Sequence, residues 1–190
     1  MKEKIERVSK INCTSLILAV VLFVTGCTTS YPARSPLGEQ FPSVRAKVLT
    51  GEEVEIPQFF HGKDALLLVG FIQDTQFDID RWLLALKQLK TPIVVAEIPT
   101  IQGLFPRIIS TTINQGMRNG IPEEDWQIVF TVYKDAEKIT KFVGNTKPRN
   151  VRAILIDKNG VVRWFHDRGF SADRAIELDT LVRESSNKAP

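Results

Sequence analysis

The stretch LLLVGFIQDTQFDIDRWLLALKQL, residues 66–89, decides how the rest of the chain is read. Its first five residues are apolar without interruption, the pattern of a strand buried on both faces. Ile79, Trp82, Leu83, Leu86 and Leu89 then recur at helical spacing, with Asp78 placed to cap the helix. Between strand and helix lies a polar loop, Gln73-Asp74-Thr75-Gln76-Phe77-Asp78, and it contains no cysteine.

Working outward, the same alternation continues. TPIVVAEIP supplies a second buried strand that ends at Pro99, and LFPRIISTTINQGMRNG places Phe105, Ile108, Ile109, Thr112, Ile113 and Met117 on one helical face. DWQIVFTVY is a third strand, and DAEKITKFVG a short helix opened by Asp135 and stopped by Gly144. VRAILIDKNGVVRWF reads as a β-hairpin about Asp-Lys-Asn-Gly, and SADRAIELDTLVRES as a closing helix capped by Ser171, with Ala175, Ile176, Leu178, Leu181 and Val182 toward the core. Upstream, Val48, Val54 and Ile56 flank a Thr-Gly-Glu-Glu turn, the mark of a further hairpin. The order predicts an α/β sandwich with a central mixed sheet, a C-terminal β-hairpin and a last helix.

The front of the chain has a different purpose. Lys2, Lys4, Arg7 and Lys10 precede Leu16 to Val24, nine apolar residues, which is short of the ~20 needed to span a bilayer. Val24, Thr25 and Gly26 stand directly before Cys27, and this run resembles a bacterial lipobox. The resemblance implies cleavage after Gly26 and diacylation of Cys27, and two acyl chains hold a protein stably on a membrane. The expected organisation is a lipoprotein signal peptide (1–26), a flexible tether rich in Pro, Ser and Thr (27–41), and one domain (42–190). Such a protein faces the periplasm or exterior, and Thr28 rather than aspartate after the cysteine favours the outer membrane where the host has one.

Cleavage also alters the charge. The whole chain has 25 basic and 22 acidic residues; the signal removes four and two, leaving 21 against 20. That near-neutrality argues against a nucleic-acid partner. Of the two cysteines, Cys13 leaves with the signal and Cys27 is taken by lipid, so the mature protein has no thiol for redox chemistry.

Residues 121–164 carry a more particular likeness. Pro-Glu-Glu-x-Trp at Pro122 to Trp126 and Asp-x-x-Gly-x-x-Arg-Trp at Asp157 to Trp164 resemble the assembly-factor family of the mitochondrial F-type ATP synthase. Members have a thioredoxin-like domain and act as chaperones for the membrane-embedded subunit a, not as oxidoreductases. The resemblance therefore implies a thioredoxin-like sandwich whose cysteine-free loop does no redox chemistry. Those relatives work on the side that corresponds to the bacterial cytoplasm, whereas a lipobox protein faces the other way. The expectation is accordingly an assembly or chaperone factor for an envelope membrane complex, with its client left open. NVRAILIDKNGVV also resembles the peroxiredoxin pattern, which places Arg152 where that family uses an arginine to stabilise a thiolate. Arg152 would also occupy the position of the thioredoxin cis-proline. The second reading is thus a peroxiredoxin-derived anion-binding sensor, or an enzyme without a thiol.

The remaining chemistry-bearing residues give little. His61 and His166 are distant from one another and have no cysteine to complete a metal site. Asp78 with Asp80 suits a helix start, Glu123 to Asp125 suits a first turn, and Ser110 to Thr112 lack a general base. No catalytic residue, metal or cofactor is expected. The candidate partner or anion contacts are Lys147, Arg149, Arg152 and Trp164.

Overall fold

The computed structural model describes residues 30–188. Its strands are β1 (Val44–Val48), β2 (Glu53–Ile56), β3 (Ala65–Gly70), β4 (Val94–Pro99), β5 (Phe130–Thr131), β6 (Arg152–Ile156) and β7 (Val162–His166). The helices are α1 (Gln76–Leu89), α2 (Leu104–Ile108), α3 (Ser110–Gly120), α4 (Ala136–Val143) and α5 (Ala172–Lys188). The signal peptide and Cys27 lie outside the described residues.

β4-β3-β6-β7 form one set of neighbours and β2-β1-β5 another. Parallel bridges Glu97–Val129 and Thr100–Val132 join them through β4 and β5. β3 runs parallel to β4 and antiparallel to β6, so the sheet is mixed, as the sequence predicts. β3 is buried at every position, and its side chains divide between two cores. Leu67 and Val69 face Ile139 and Val143 of α4. Leu66 and Leu68 face Ile79, Trp82 and Leu86 of α1 and Leu178 and Val182 of α5. Trp82 meets Trp164 and Phe170 edge-on, with ring centroids 6.0 and 5.6 Å apart.

Five expectations need correction. The strand expected over DWQIVFTVY shrinks to Phe130–Thr131, because Glu123–Ile128 winds into a 3-10 helix. Asp78 lies within the first turn of α1 and makes no cap; its carboxylate lies 3.5 Å from the Val151 backbone N–H. Ile176 of α5 is exposed, off the stripe that Ala175, Leu178 and Val182 bury. The helix expected over residues 104–120 is broken at Ile109, and its apolar face is not in the core. Leu104, Phe105 and Ile108 are exposed, while the buried side chain of α3 is the polar Asn114. Last, residues 31–41 do not hang free as a tether. The Tyr31 N–H donates to Asn145 Oδ1 at 2.7 Å, Tyr31 Oη to Glu137 at 2.6 Å, and the Gly38 N–H to the Val162 carbonyl at 2.9 Å. Phe41, at the end of this run, is a core residue.

Candidate functional site

Because β3 and β4 are parallel, the loops that follow them emerge at one end of the sheet, and the loop leading into antiparallel β6 joins them there. This is where the cysteine-free loop lies. It is laced to the loop before β6 by three polar contacts. The buried Thr75 hydroxyl donates to the Pro148 carbonyl at 3.3 Å, Arg149 Nε lies 3.3 Å from Asp74 Oδ2, and Asp78 faces Val151. The space in which a dithiol would work is occupied by structural hydrogen bonds.

Arg152 is drawn into the same lacing. Only 1 % exposed, it donates from Nη1 to the carbonyls of Lys147 (2.9 Å) and Asn150 (2.6 Å) and from Nη2 to that of Gly144 (3.2 Å). Its guanidinium carbon lies 5.3 Å from the Phe71 ring centroid, a cation–π contact. Burial lowers its pKa, with Asp167 acting in the opposite direction. A guanidinium that donates to three carbonyls is a clamp on residues 144–151, while its buried Nε–H has no partner among the described residues. It does border a cavity of about 190 Å³, with Lys147 and Arg168 across from Asp167.

The other candidates separate. Arg149 is spent on Asp74, and Lys147 stays on the surface of the loop. Trp164 is buried beside Trp82, and its Nε1–H donates to Glu177 at 2.8 Å. His166 stacks on Trp164 at 29°, and burial lowers its pKa. Among the described residues no group of three His, Cys, Asp or Glu side chains is arranged for a metal.

What this end of the molecule does present is apolar surface. Ile72 and Phe77 border the first loop and Leu104, Phe105 and Ile108 follow β4, with Phe77 71 % and Phe105 68 % exposed. The Thr100 N–H, donating to the Gly70 carbonyl at 2.7 Å, holds the two loops side by side.

Glu97 is a residue that the sequence reading missed. It is the one charged side chain in an apolar strand, and β4 buries it on the α1 side of the sheet. Burial pushes its carboxyl up to about 7, with Asp80 and Asp125 adding to the rise and a 3.4 Å hydrogen bond from Gln76 opposing it.

The motifs at residues 121–164 prove to be turn chemistry. Asp157 Oδ1 accepts the N–H groups of Asn159 and Val161, both at 2.9 Å, and its other oxygen pairs with Arg163. Gly160 supplies the positive φ of 82° that the hairpin needs. Trp126 donates to the Ile121 carbonyl at 2.9 Å and lies under Arg118.

No protein-family model matches the chain, and no curated protein matches it in sequence. Solved structures do. A SCO1/SenC family lipoprotein from Bacillus anthracis is 14% identical with a TM-score of 0.55, over 80% of this chain and 98% of the other. BsSco, a member of the Sco family of cytochrome c oxidase assembly proteins, is 13% identical with a TM-score of 0.54, over 79% and 96%. A thiol peroxidase from Chromobacterium violaceum is 12% identical with a TM-score of 0.53, over 85% and 93%. Identities this low carry the architecture and not the activity. The likeness to the ATP-synthase assembly-factor family rests on the two motifs alone. The chain has the thioredoxin-like fold.

Proposed function

We propose that this protein is a lipid-anchored, non-redox assembly or chaperone factor for a membrane protein complex of the cell envelope. The carrying observation is the end of the sheet where thioredoxin-like proteins keep their thiols. Here it has no cysteine, is laced shut through Thr75, Asp74 and Arg152, and is bordered by exposed Ile72, Phe77, Leu104, Phe105 and Ile108. A surface of that kind holds an apolar segment of a client without turning it over. Cys27 supplies the lipid anchor, and no helix among the described residues is long and apolar enough to cross a membrane. The lipoprotein and the oxidase-assembly protein among the structural neighbours make the same pairing of fold and task credible. The resemblance of residues 121–164 implies subunit a of the ATP synthase as client, but a protein lipid-anchored outside the cytoplasm would reach it only from its opposite face, so the client is left open.

The test is photo-crosslinking in living cells, with a photoreactive residue at Phe77 or Phe105 of the intact lipoprotein and controls at Ile176 and Lys158. Crosslinks from Phe77 and Phe105 to an integral membrane subunit, absent at the controls, are expected. Equal crosslinking at all four positions, or none at Phe77 and Phe105 when Cys27 is lipidated, overturns the reading.

A further inference from the structure

A second concavity, of about 270 Å³, lies away from the laced loop, between β1, β5 and the α2–α3 segment. Arg45 and Lys47 reach it from β1, Arg107 from α2 and Lys134 from the turn after β5, against one carboxylate, Glu53. Arg45 already has a partner, Asp135, at 3.6 Å. Lys47, Arg107 and Lys134 have no carboxylate within ion-pair distance among the described residues. Lys47 has Glu53 opposite it on β2 and Arg107 donates to the Lys134 carbonyl at 3.0 Å, but four cations against one carboxylate leave the lining positive, and an anion lying between them relieves that repulsion.

The floor of the concavity is polar as well. Asn114 is only 3 % exposed, yet it lines the cavity. Its Oδ1 accepts the Tyr133 hydroxyl at 2.6 Å, which fixes the amide so that Nδ2 becomes the outward group. That NH2 donates to no acceptor among the described residues. The group is not sealed from solvent, and it is available to an acceptor placed in the cavity. The hydroxyls of Ser110 and Thr111 stand at the same wall.

We infer that this cavity binds a phosphate group, which Lys47, Arg107 and Lys134 hold by charge and the Asn114 amide orients by hydrogen bonding. Phosphate fits because it offers several acceptor oxygens and more than one negative charge at neutral pH. The volume suits a diphosphate or a small phosphoester, being just below the ordinary range for drug-sized ligands. The site shares no residue with the apolar surface proposed for the client, so either assignment can fail without the other.

The test uses the full-length lipoprotein in uncharged detergent, titrated calorimetrically with pyrophosphate at low salt. Wild type is expected to bind with a Kd below about 1 mM, and Lys47→Gln with Lys134→Gln to weaken it at least tenfold. Both lysines are at the surface, and an unchanged melting temperature without ligand verifies that the double variant folds. Asn114→Asp, which places a carboxylate on the floor, should abolish binding. No heat with wild type at 10 mM pyrophosphate (about ten times that Kd limit), or equal binding by the double variant, overturns the site. Short-chain phosphatidylglycerol in the same micelles separates the two sources of phosphate. Competition with pyrophosphate identifies a lipid headgroup, and binding without competition a soluble phosphoester.

Discussion

The Thr75 hydroxyl donates to the Pro148 carbonyl at 3.3 Å and accepts from the Ile72 N–H at 3.4 Å, so one buried side chain ties the loop after β3 to the loop before β6. A threonine at this place is a fastener. The same hydroxyl cannot serve as a nucleophile while its proton is held by a carbonyl and no base adjoins it.

Thr75→Val keeps the shape and removes both bonds. The Pro148 carbonyl and the Ile72 N–H are left without this partner, and stability should fall by about 1–2 kcal/mol. Urea denaturation reads this as a lower midpoint at unchanged slope. An unchanged midpoint would mean that packing of the threonine methyl group alone holds the two loops.

Arg152 makes a stronger claim. Its three bonds to the carbonyls of Gly144, Lys147 and Asn150 are the internal frame of residues 144–151. Arg152→Met fills the volume but leaves those carbonyls unmet, at a cost on the order of 3 kcal/mol. Arg152→Lys retains the charge yet lacks the planar fork, so it should recover only part of the loss. Proteolysis after Lys147 and Arg149 should speed up in both variants, more so for Met. If Lys restores full stability, the charge and not the fork is what matters.

These two residues show where sequence reading reaches its limit. β3 and α1 were legible because apolar periodicity of two or 3.6 residues survives in any context, and the closing hairpin because Asp157 and Gly160 carry their own turn chemistry. Arg152 was found by its resemblance, but its direction was not, since its partners are backbone carbonyls that leave no trace in side-chain identity. Phe105 and Ile108 were placed on one helical face, but periodicity identifies an apolar face without saying what covers it. Asn114 owes its burial to Tyr133, 19 residues on, and the basic cavity draws on residues from Arg45 to Lys134. Only the fold brings these together.

Glu97 should tilt the pH dependence of stability. Its folded-state carboxyl titrates near 7 against an ordinary 4.5, so between those values the native state holds more proton than the unfolded chain. The Glu97 contribution to stability therefore falls as pH rises from about 4.5 to 7, by up to about 3 kcal/mol, and is level above that. Asp135, Asp157 and Asp179, whose pKa values are lowered, act in the opposite sense below this window, and His166, lowered by burial from 6.5, opposes Glu97 within it, so the Glu97 effect is the difference between wild type and Glu97→Gln. Glu97→Gln should remove the tilt and raise the urea midpoint at pH 8. Parallel curves for the two proteins from pH 5 to 8 would sink the assignment.

Gly144 fixes how closely residues 31–41 lie against the domain. It ends α4 at a φ of 73°, and a Cβ there would stand 2.2 Å from the Pro32 carbonyl oxygen, against backbone that cannot yield cheaply. Residues 31–41 are docked through this approach, and Cys27 is four peptide units from Tyr31, a separation of at most about 14 Å. The full expected tether would have reached roughly 50 Å. Gly144→Ala should release Tyr31 and Pro32, destabilise the domain and lengthen the effective tether. Trypsin should then cut after Arg34 faster than in wild type, and a fluorophore on the domain should move away from labelled headgroups in proteoliposomes. Faster cutting without that movement would mean that the docked segment stabilises the domain but does not set its distance from the membrane. If neither changes, the segment is not docked on the domain in solution.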